Sequence, residues 1–351
     1  MGDRLRIAQV APIAVPVTAD STGSIEQLVF LLTEELVRRG HEVTLFATGD
    51  SQTSAALRAV YPRGYEDDEA LWSWEFHETL HAAAAFERAR AFDIIHSHVY
   101  HYALPLSRLV ETPAVHSYHV LPDDDVVRAY ARYPEVHLVA ISDYQRRVFT
   151  DSPDVAVVHH GIDTESFPFN PARGDYLAFL GRIIPGKGTV EAVHLARQAG
   201  VRLVLAGPRD DEDEGYFDSQ VAPLIDGRNV TYIGPVDRNE RGPFLAGAAA
   251  LLYPITEPEP FGLVMVEAMA CGTPVVAAEL GAVPELVDNG VTGYYTQDGE
   301  PSTALIPAAL ALDRARVRQT AVARFDYRRM VSGYEAVYRR LAAGRRQRWA
   351  Q

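Results

Sequence analysis

The sequence has 351 residues, more than one hydrophobic core usually holds, so two domains are expected. Hydrophobic residues make up 47% of the chain and charged residues 23%, a balance typical of globular rather than disordered proteins. A net charge of −14 disfavours nucleic acid and anionic membranes as partners, because both attract basic surfaces.

The cysteine content and the hydropathy pattern indicate a cytoplasmic protein. Cys271 is the single cysteine, which excludes an intrachain disulfide and suits a reducing compartment. The N-terminal residues lack the long apolar run of a signal peptide, and no stretch approaches about eighteen consecutive apolar residues. We therefore expect no transmembrane segment and no membrane association.

The chain opens with a strand–helix–strand pattern. Residues 5–11 are predicted to form a buried strand, residues 25–39 a helix ended by Gly40, and residues 42–47 the next strand. Four leucines form the apolar face of the helix: Leu28, Leu31, Leu32 and Leu36. This βαβ opening predicts a parallel, doubly wound α/β sheet.

The loop before this helix contains one glycine, Gly23. A glycine can bring backbone N–H groups close to a phosphate, but a plain turn between loop and helix explains it equally well. No G-x-G-x-x-G motif follows the first strand, which counts against an NAD-dependent oxidoreductase.

Histidines cluster in the middle of the first half, after residues 48–76, which we expect to form loops with one short helix. Strands are predicted at residues 92–98 and 114–118, and His98 and His119 lie at their ends. A zinc site is not supported, since no cysteine or H-E-x-x-H helix accompanies the histidines. Ligands bind at strand ends in doubly wound sheets, so ligand contact is predicted, with packed, hydrogen-bonded histidines as the alternative.

The second half of the chain begins with the same strand–helix pattern as the first half. A strand at residues 176–180 is followed by the loop G-R-I-I-P-G-K-G, which carries Arg182 and Lys187, and by a helix at residues 190–199. Fixed cations at such a point can stabilise the negative charge of a phosphate group without a metal ion. The acidic runs at 123–125 and 210–214 are predicted to be solvated loop charges rather than metal ligands.

Residues 257–274 read E-P-E-P-F-G-L-V-M-V-E-A-M-A-C-G-T-P. Gly262 is predicted to open a helix that Gly272 and Pro274 end, with one buried apolar stripe. The start of this helix offers free backbone N–H groups to a phosphate. Glu259 and Glu267 lie eight residues apart, and a carboxylate near a phosphate site can accept two neighbouring sugar hydroxyls; solvated surface charge is the alternative.

The spacing E-x7-E, closed by E-A-M-A-C-G-T-P-V, together with G-R-x-x-x-x-K-G, resembles the retaining nucleotide-sugar glycosyltransferases of the large fourth family, the group 1 glycosyl transferases. The resemblance implies the GT-B fold, an α/β architecture of two facing Rossmann-like doubly wound domains. We place the acceptor-side domain at residues 1–168 and the nucleotide-sugar-binding domain at 172–325. Residues 326–351 are expected to form a helix that crosses back onto the first domain.

The resemblance also implies roles for single residues. It implies a catalytic set of four residues: His119, Arg182, Lys187 and Glu259. It implies further donor-binding residues, with Glu267 meeting the ribose: Gly23, Gly207, Ile233, Phe261, Gly262, Leu263, Val264 and Glu267. Acceptor-side candidates are His98, Tyr100 and His160. Two positions depart from the family pattern, because Ser24 replaces a second glycine and His160 replaces an asparagine.

The implied reaction is transfer of a hexose-like sugar, with retention, from a nucleoside-diphosphate sugar to a small soluble acceptor. We expect a UDP-sugar rather than a GDP-sugar, no metal and no further cofactor. No pair of carboxylates can be assigned as the nucleophile and acid of a hydrolase. A nucleotide-sugar 2-epimerase of the same fold and a catalytically silent nucleotide-sugar-binding partner subunit are the alternatives.

Overall fold

A computed structural model describes residues 4–150, 155–209, 214–296 and 302–349 of the chain. The fold divides into two compact units. The first unit comprises Met1–Gly161 together with Tyr327–Gln351, and the second unit comprises Ile162–Asp326. The predicted boundary at 168–172 therefore lies within the second unit, where Ile162 and Asp326 form a parallel bridge.

Each unit contains one parallel sheet. The first sheet has the order β3-β2-β1-β4-β5-β6-β7. Its strands are β1 (Arg6–Val10), β2 (Glu42–Phe46), β3 (Ala56–Arg58), β4 (Ile94–Ser97), β5 (Ala114–Ser117), β6 (His137–Ala140) and β7 (Ala156–Val157). The second sheet has the order β10-β9-β8-β11-β12-β13. Its strands are β8 (Tyr176–Leu180), β9 (Arg202–Ala206), β10 (Val230–Tyr232), β11 (Ala250–Tyr253), β12 (Val275–Ala278) and β13 (Gly293–Thr296).

Helices connect the strands, as parallel pairing requires. Those of the first unit are α1 (Ser24–Arg38), α2 (Trp74–Phe86), α3 (Leu104–Ser107), α4 (Asp124–Ala131) and α5 (Asp143–Val148). Those of the second unit are α6 (Thr189–Ala199), α7 (Glu214–Tyr216), α8 (Arg238–Gly247), α9 (Leu263–Ala270), α10 (Val283–Leu286), α11 (Leu305–Leu310) and α12 (Arg314–Phe325). The chain closes with α13 (Tyr327–Trp349), which belongs to the first unit. Within the described ranges, no helix is both long and apolar enough to cross a bilayer.

The closing helix packs onto the first sheet, as predicted. Tyr334 and Tyr338 of α13 are fully buried in one cluster with Ile7 of β1 and Leu32 of α1. Because an aromatic side chain buries a large apolar area, these two tyrosines stabilise the return of the chain onto the first unit. The core of the second unit lies between one face of β8, β9 and β11 and the helices that pack on it, among them α6 and α11. The prediction of a GT-B-like pair of doubly wound units is confirmed.

Two local predictions need correction. The acidic run at 123–125 is exposed, as predicted, but only Asp123 lies in a loop: its side chain accepts a hydrogen bond of 2.8 Å from the Val126 N–H and caps α4, which contains Asp124 and Asp125. Residues 48–76 contain β3 in addition to loops, since Ala56 pairs with Thr44 of β2. Helices α8 and α12 were not predicted. The acidic run at 210–214 lies outside the described residues apart from Glu214.

Candidate active site

The two predicted cations lie in the loop after β8, and glycines press this loop against the loop after β11. Gly188 has φ +72°, and a Cβ there would lie 1.8 Å from the carbonyl oxygen of Pro254. The Thr256 N–H donates to the carbonyl oxygen of Gly186 over 3.1 Å. Only glycine permits this approach, which brings Lys187 next to the loop that carries Glu259.

Lys187 forms an ion pair with Glu259, and each side chain is 20% exposed. Burial and the neighbouring Arg182 guanidinium lower the pKa of Lys187 to about 8, against an opposing effect of Glu257. The ammonium group therefore remains mainly protonated at pH 7. The structure thus brings three predicted catalytic residues of the second unit together.

Glu259 is held through its backbone by the segment after β12. The Ala282 N–H donates to the carbonyl oxygen of Glu259 over 3.0 Å. Gly281 has φ +59°, and a Cβ there would lie 2.2 Å from that same oxygen. A side chain at residue 281 would therefore displace Glu259.

Gly262 begins α9 with φ +99°, at the predicted helix start. A Cβ on Gly262 would lie 2.7 Å from Cε of Met265 and 2.9 Å from the Tyr253 hydroxyl. Phe261 is buried against the ring of Phe325, while Leu263 and Val264 are half-buried. The expectation of a single buried stripe was wrong, since every residue from 265 to 270 is buried.

Glu267, the second glutamate of the motif, is not a solvated surface charge. Its side chain is 6% exposed, and its Oε1 lies 2.9 Å from Nη1 of Arg241. Arg241 was missed because it lies in α8, whose internal Pro243 obscured the helical pattern. A different signal was available for Lys187: it is the only lysine among 33 lysine and arginine residues.

Gly207 and Ile233 lie at the carboxyl edge of the same sheet. Gly207 has φ +141°, and a Cβ there would lie 1.8 Å from the carbonyl oxygen of Gly181. Its N–H donates to Gly234 over 2.8 Å, and Ile233 is 52% exposed. Ligands bind at this edge of doubly wound sheets. The donor-binding residues predicted in the second unit therefore converge on one edge.

Gly23 lies in the first unit, where it caps α1. A Cβ on Gly23 would lie 2.0 Å from Oε2 of Glu26. Glu26 is buried, and burial raises the pKa of its carboxyl to about 7. A carboxyl group, rather than open space for a phosphate, is the immediate neighbour of Gly23.

The predicted histidines of the first unit form one hydrogen-bonded row. Nδ1 of His98 lies 2.9 Å from Nε2 of His119, and Nδ1 of His119 lies 3.4 Å from Nε2 of His160. Nε2 of His98 lies 3.0 Å from Oε1 of Gln9. Burial lowers the pKa of all three histidines, that of His119 to about 3, so the rings are neutral.

Neutral rings give this row a direction. Oε1 of Gln9 can only accept, so His98 donates from Nε2 and accepts from His119 at Nδ1. His119 then accepts from His160. Both ring nitrogens of His119 are engaged within the first unit, so a sugar hydroxyl could reach one only by replacing a bond of the row.

The row continues to the closing helix. Nε2 of Gln9 donates to the Tyr338 hydroxyl over 3.0 Å, and that hydroxyl lies 2.5 Å from Nδ1 of His96. Nε2 of His96 lies 2.9 Å from Oγ of Ser117, which lies 2.9 Å from the Tyr334 hydroxyl. His96 is therefore a packed, hydrogen-bonded histidine.

Tyr100, an acceptor-side candidate, is half-buried and has φ +39°, a strained value for a residue other than glycine. It lies near Glu78 of α2, which sequence reasoning missed. Glu78 is buried, and burial raises the pKa of its carboxyl to about 8, with a smaller effect of Glu26. The signal was a glutamate in an apolar helical stripe that continues with Ala82 and Ala85.

Two models of known protein families match the two halves of the chain. Residues 174–313 match the family described as Glycosyl transferases group 1, and residues 25–166 match Glycosyltransferase Family 4. The chain belongs to the group 1, family 4 glycosyltransferases.

Relatives cover this glycosyltransferase almost end to end. A D-inositol 3-phosphate glycosyltransferase of Mycobacterium avium is 28% identical and covers 90% of this chain and 89% of its own. The crystal structure of AviGT4, a glycosyltransferase involved in avilamycin A biosynthesis, is 27% identical with a TM-score of 0.75 and covers 97% and 98% of the two chains. Sucrose-phosphate synthase from Thermosynechococcus elongatus shares the fold at 22% identity, with a TM-score of 0.78 and coverage of 97% and 100%.

Replacing Gly281 with alanine should disturb Glu259 beyond the cost of backbone strain. Gly290 provides a matched control, because it also has positive φ (+78°) but its nearest neighbour, the Tyr294 hydroxyl, would lie 3.7 Å from a Cβ. We expect Gly290→Ala to lower the free energy of unfolding by about 1–3 kcal/mol and to keep glycosyl transfer. Gly281→Ala should cost more stability and lower transfer at least about tenfold. Urea unfolding and a transfer assay check both; equal behaviour of the two variants would contradict the role given to Gly281.

Glu78 should make the protein less stable as pH rises. Its folded pKa of about 8 exceeds the ordinary 4.5, so the folded state binds the proton more tightly and the free energy of unfolding falls between these pH values. Each pKa unit corresponds to about 1.4 kcal/mol. The free energy of unfolding of Glu78→Gln, taken relative to that of the wild type, should therefore rise by about 1.4 kcal/mol between pH 7 and pH 9. Urea unfolding at each pH measures this difference. Glu87→Gln changes an exposed residue at the end of α2, and its free energy of unfolding relative to the wild type should not change over this pH range. Parallel pH profiles for the wild type and Glu78→Gln would refute the role given to Glu78.

Proposed function

We propose that this glycosyltransferase moves a sugar from a nucleoside-diphosphate sugar to a hydroxyl of a small-molecule acceptor, with retention of anomeric configuration. The observation that carries the proposal is the meeting of Lys187, Arg182 and Glu259 at the carboxyl edge of the second sheet. Lysine offers a compact ammonium group where arginine offers a planar fork, so the single lysine of an arginine-rich chain indicates a specific need at this position.

The cations of this site would stabilise the leaving group. The bond between the anomeric carbon and the diphosphate oxygen breaks, and its electron pair stays on the diphosphate. The Lys187 ammonium and the Arg182 guanidinium would stabilise the charge that develops there, as preorganised charges do in other transfer reactions. The backbone N–H groups at Gly262 and the start of α9 lie in the same motif and would add to this effect.

Retention follows if the acceptor attacks from the face that the diphosphate leaves. The acceptor oxygen forms the new bond to the anomeric carbon, and its proton passes to an oxygen of the departing phosphate. No protein nucleophile is then needed, and catalysis rests on positioning and charge. Glu259 would accept hydrogen bonds from hydroxyls of the donor sugar, released in part from Lys187 when the diphosphate binds.

Glu267 would accept hydrogen bonds from the ribose hydroxyls of the donor. Its ion pair with Arg241 fixes the orientation of the buried carboxyl. Of the two bases, we propose a UDP-sugar, and we propose that no metal takes part. The relatives' names include a transferase acting on an inositol phosphate, which supports a small polyhydroxylated acceptor here. The predicted cytoplasmic location stays a prediction.

Nucleotide binding tests this proposal directly. Ligands that bind the native state raise its melting temperature by mass action. In metal-free buffer with EDTA, we expect UDP to raise the melting temperature more than GDP, ADP or NAD. Lys187→Ala and Glu267→Ala should weaken this effect at least about tenfold in nucleotide concentration, because each removes a charged contact.

A control variant separates the site from general loss of charge. Arg228→Ala removes an exposed cation of the same unit and should leave the nucleotide effect unchanged. A melting-temperature rise that Lys187→Ala and Glu267→Ala both retain would refute the site. Product analysis then separates the alternatives: transfer gives a new glycoside, a 2-epimerase gives an altered nucleotide sugar or free sugar without any acceptor, and a silent subunit gives neither.

A further inference from the structure

The first unit has a corresponding sheet edge at the carboxyl ends of β1 and β4. These strands are parallel neighbours, with Val10 opposite Ser97. The chain beyond β1 carries Ile13, and the chain beyond β4 carries Tyr100. The Ile13 carbonyl oxygen accepts from the Tyr65 N–H over 3.1 Å, which brings a further segment to the same edge. Substrates bind at such edges of doubly wound sheets.

One carboxyl oxygen at this edge is buried and unused. Oε1 of Glu78 accepts from the Ile13 N–H over 2.8 Å, but Oε2 has no hydrogen-bond partner among the described residues. Glu78 is 0% exposed, and leaving a buried oxygen without a hydrogen bond is unfavourable. A ligand hydroxyl would satisfy it.

Four aromatic rings form a series of contacts at the same edge. The rings of Tyr65 and Trp74 lie 5.7 Å apart, those of Trp74 and Tyr102 5.8 Å, and those of Tyr102 and Tyr100 6.2 Å. The Glu78 carboxyl acts electrostatically on the hydroxyls of Tyr65, Tyr100 and Tyr102. All four rings are half-buried, so each keeps part of its surface available to a ligand. Aromatic faces and hydrogen-bonding groups together suit a ring that is apolar on its faces and polar at its rim.

The ionisable groups that act on one another at this edge are carboxyls and tyrosines. Burial raises the pKa of Glu78 and of Glu26, with smaller effects of Glu26 on Glu78 and of Glu66 on Glu26, so the Glu78 carboxyl is mainly protonated at pH 7. The groups that act on Tyr65, Tyr100 and Tyr102 are carboxyls and the Tyr100 hydroxyl, and none of them is a cation. A phosphate group would find no counter-charge among these groups, whereas sugar hydroxyls can form hydrogen bonds with neutral carboxyls and tyrosine hydroxyls.

We propose that Glu78, Glu26 and the rings of Trp74 and Tyr100 form the acceptor-binding site, and that the acceptor is a neutral polyhydroxylated ring such as a sugar or a cyclitol. The acceptor ring packs on Trp74, and one of its hydroxyls forms a hydrogen bond with Oε2 of Glu78. This inference rests on the proposed transfer reaction and narrows its acceptor class. It separates this chain from its relatives named for inositol 3-phosphate, whose acceptor carries a phosphate.

Saturation-transfer NMR without any donor tests the site. The probes are glucose, galactose, mannose and myo-inositol, each compared with its monophosphate. We expect at least one neutral probe to bind the full chain, and every phosphorylated probe to bind at least about tenfold more weakly. Trp74→Ala should weaken the neutral probe at least about tenfold through lost stacking. Trp72→Ala, at a position that is 84% exposed, should leave its affinity unchanged.

Glu78 is tested by a conservative pair of variants. Glu78→Gln keeps an acceptor and a donor of similar shape, so its affinity should stay within about threefold of wild type. Glu78→Ala should lower the affinity at least about tenfold. Should Glu78→Ala fail to fold, Trp74→Ala and Glu78→Gln still decide the matter. Tighter binding of phosphorylated probes, no binding of any neutral probe, or unchanged affinity in Trp74→Ala would each overturn the proposal.

Nucleotide binding distinguishes this inference from the proposed function. Trp74→Ala and Glu78→Gln should keep the full UDP-dependent rise in melting temperature, because the proposed diphosphate and ribose contacts of Lys187, Arg182 and Glu267 lie in the second unit. If UDP does not raise the melting temperature of the wild type, the donor site is refuted, and sugar binding can still be measured. Loss of sugar binding alone refutes only the acceptor inference.

Discussion

The close approach of backbone loops in the second unit is the constraint on which the site depends. Gly188 lies against Pro254, and Gly281 lies against Glu259, at distances that no side chain permits. These contacts place an ammonium group and a carboxylate side by side at a sheet edge where each is mostly buried. Burial lowers the pKa of Lys187 and strengthens its interaction with any charge that develops nearby. The backbone geometry of these loops therefore determines the burial of Lys187, and with it the pKa of this residue and the strength of its charge interactions.

The sheet of the first unit has buried polar side chains. Gln9, His96 and His98 are buried on β1, on β4 and just beyond β4, and their hydrogen-bonding groups must find partners. Tyr338 of α13 is the partner of Gln9 and of His96, and His98 bonds with Gln9 and His119. The return of the chain to the first unit therefore satisfies buried donors and acceptors as well as burying aromatic rings, and it ties the histidine row at the strand ends to the closing helix.

The sequence predicted those features that depend on local pattern. Buried parallel strands such as β8 and β9 stand out as short apolar runs, and glycines mark Lys187 and the start of α9. Arg241 and Glu78 were not predicted, because their roles depend on which groups the fold brings to them. Helix α8 carries an internal proline, and α4 begins in an acidic run that resembles a solvated loop. Tertiary packing overrides the local signal at each of these positions.

The proposed transfer depends most on Lys187 as the cation that meets the diphosphate, and this residue can be measured directly. As the only lysine, Lys187 has the one side-chain amine, so acetylation by an amine-reactive ester can be followed by mass spectrometry separately from the terminal amine. We expect the acetylation rate to rise with pH around a midpoint of about 8 and to fall at least about tenfold with saturating UDP. A rate that no nucleoside diphosphate changes would contradict the proposed role of Lys187.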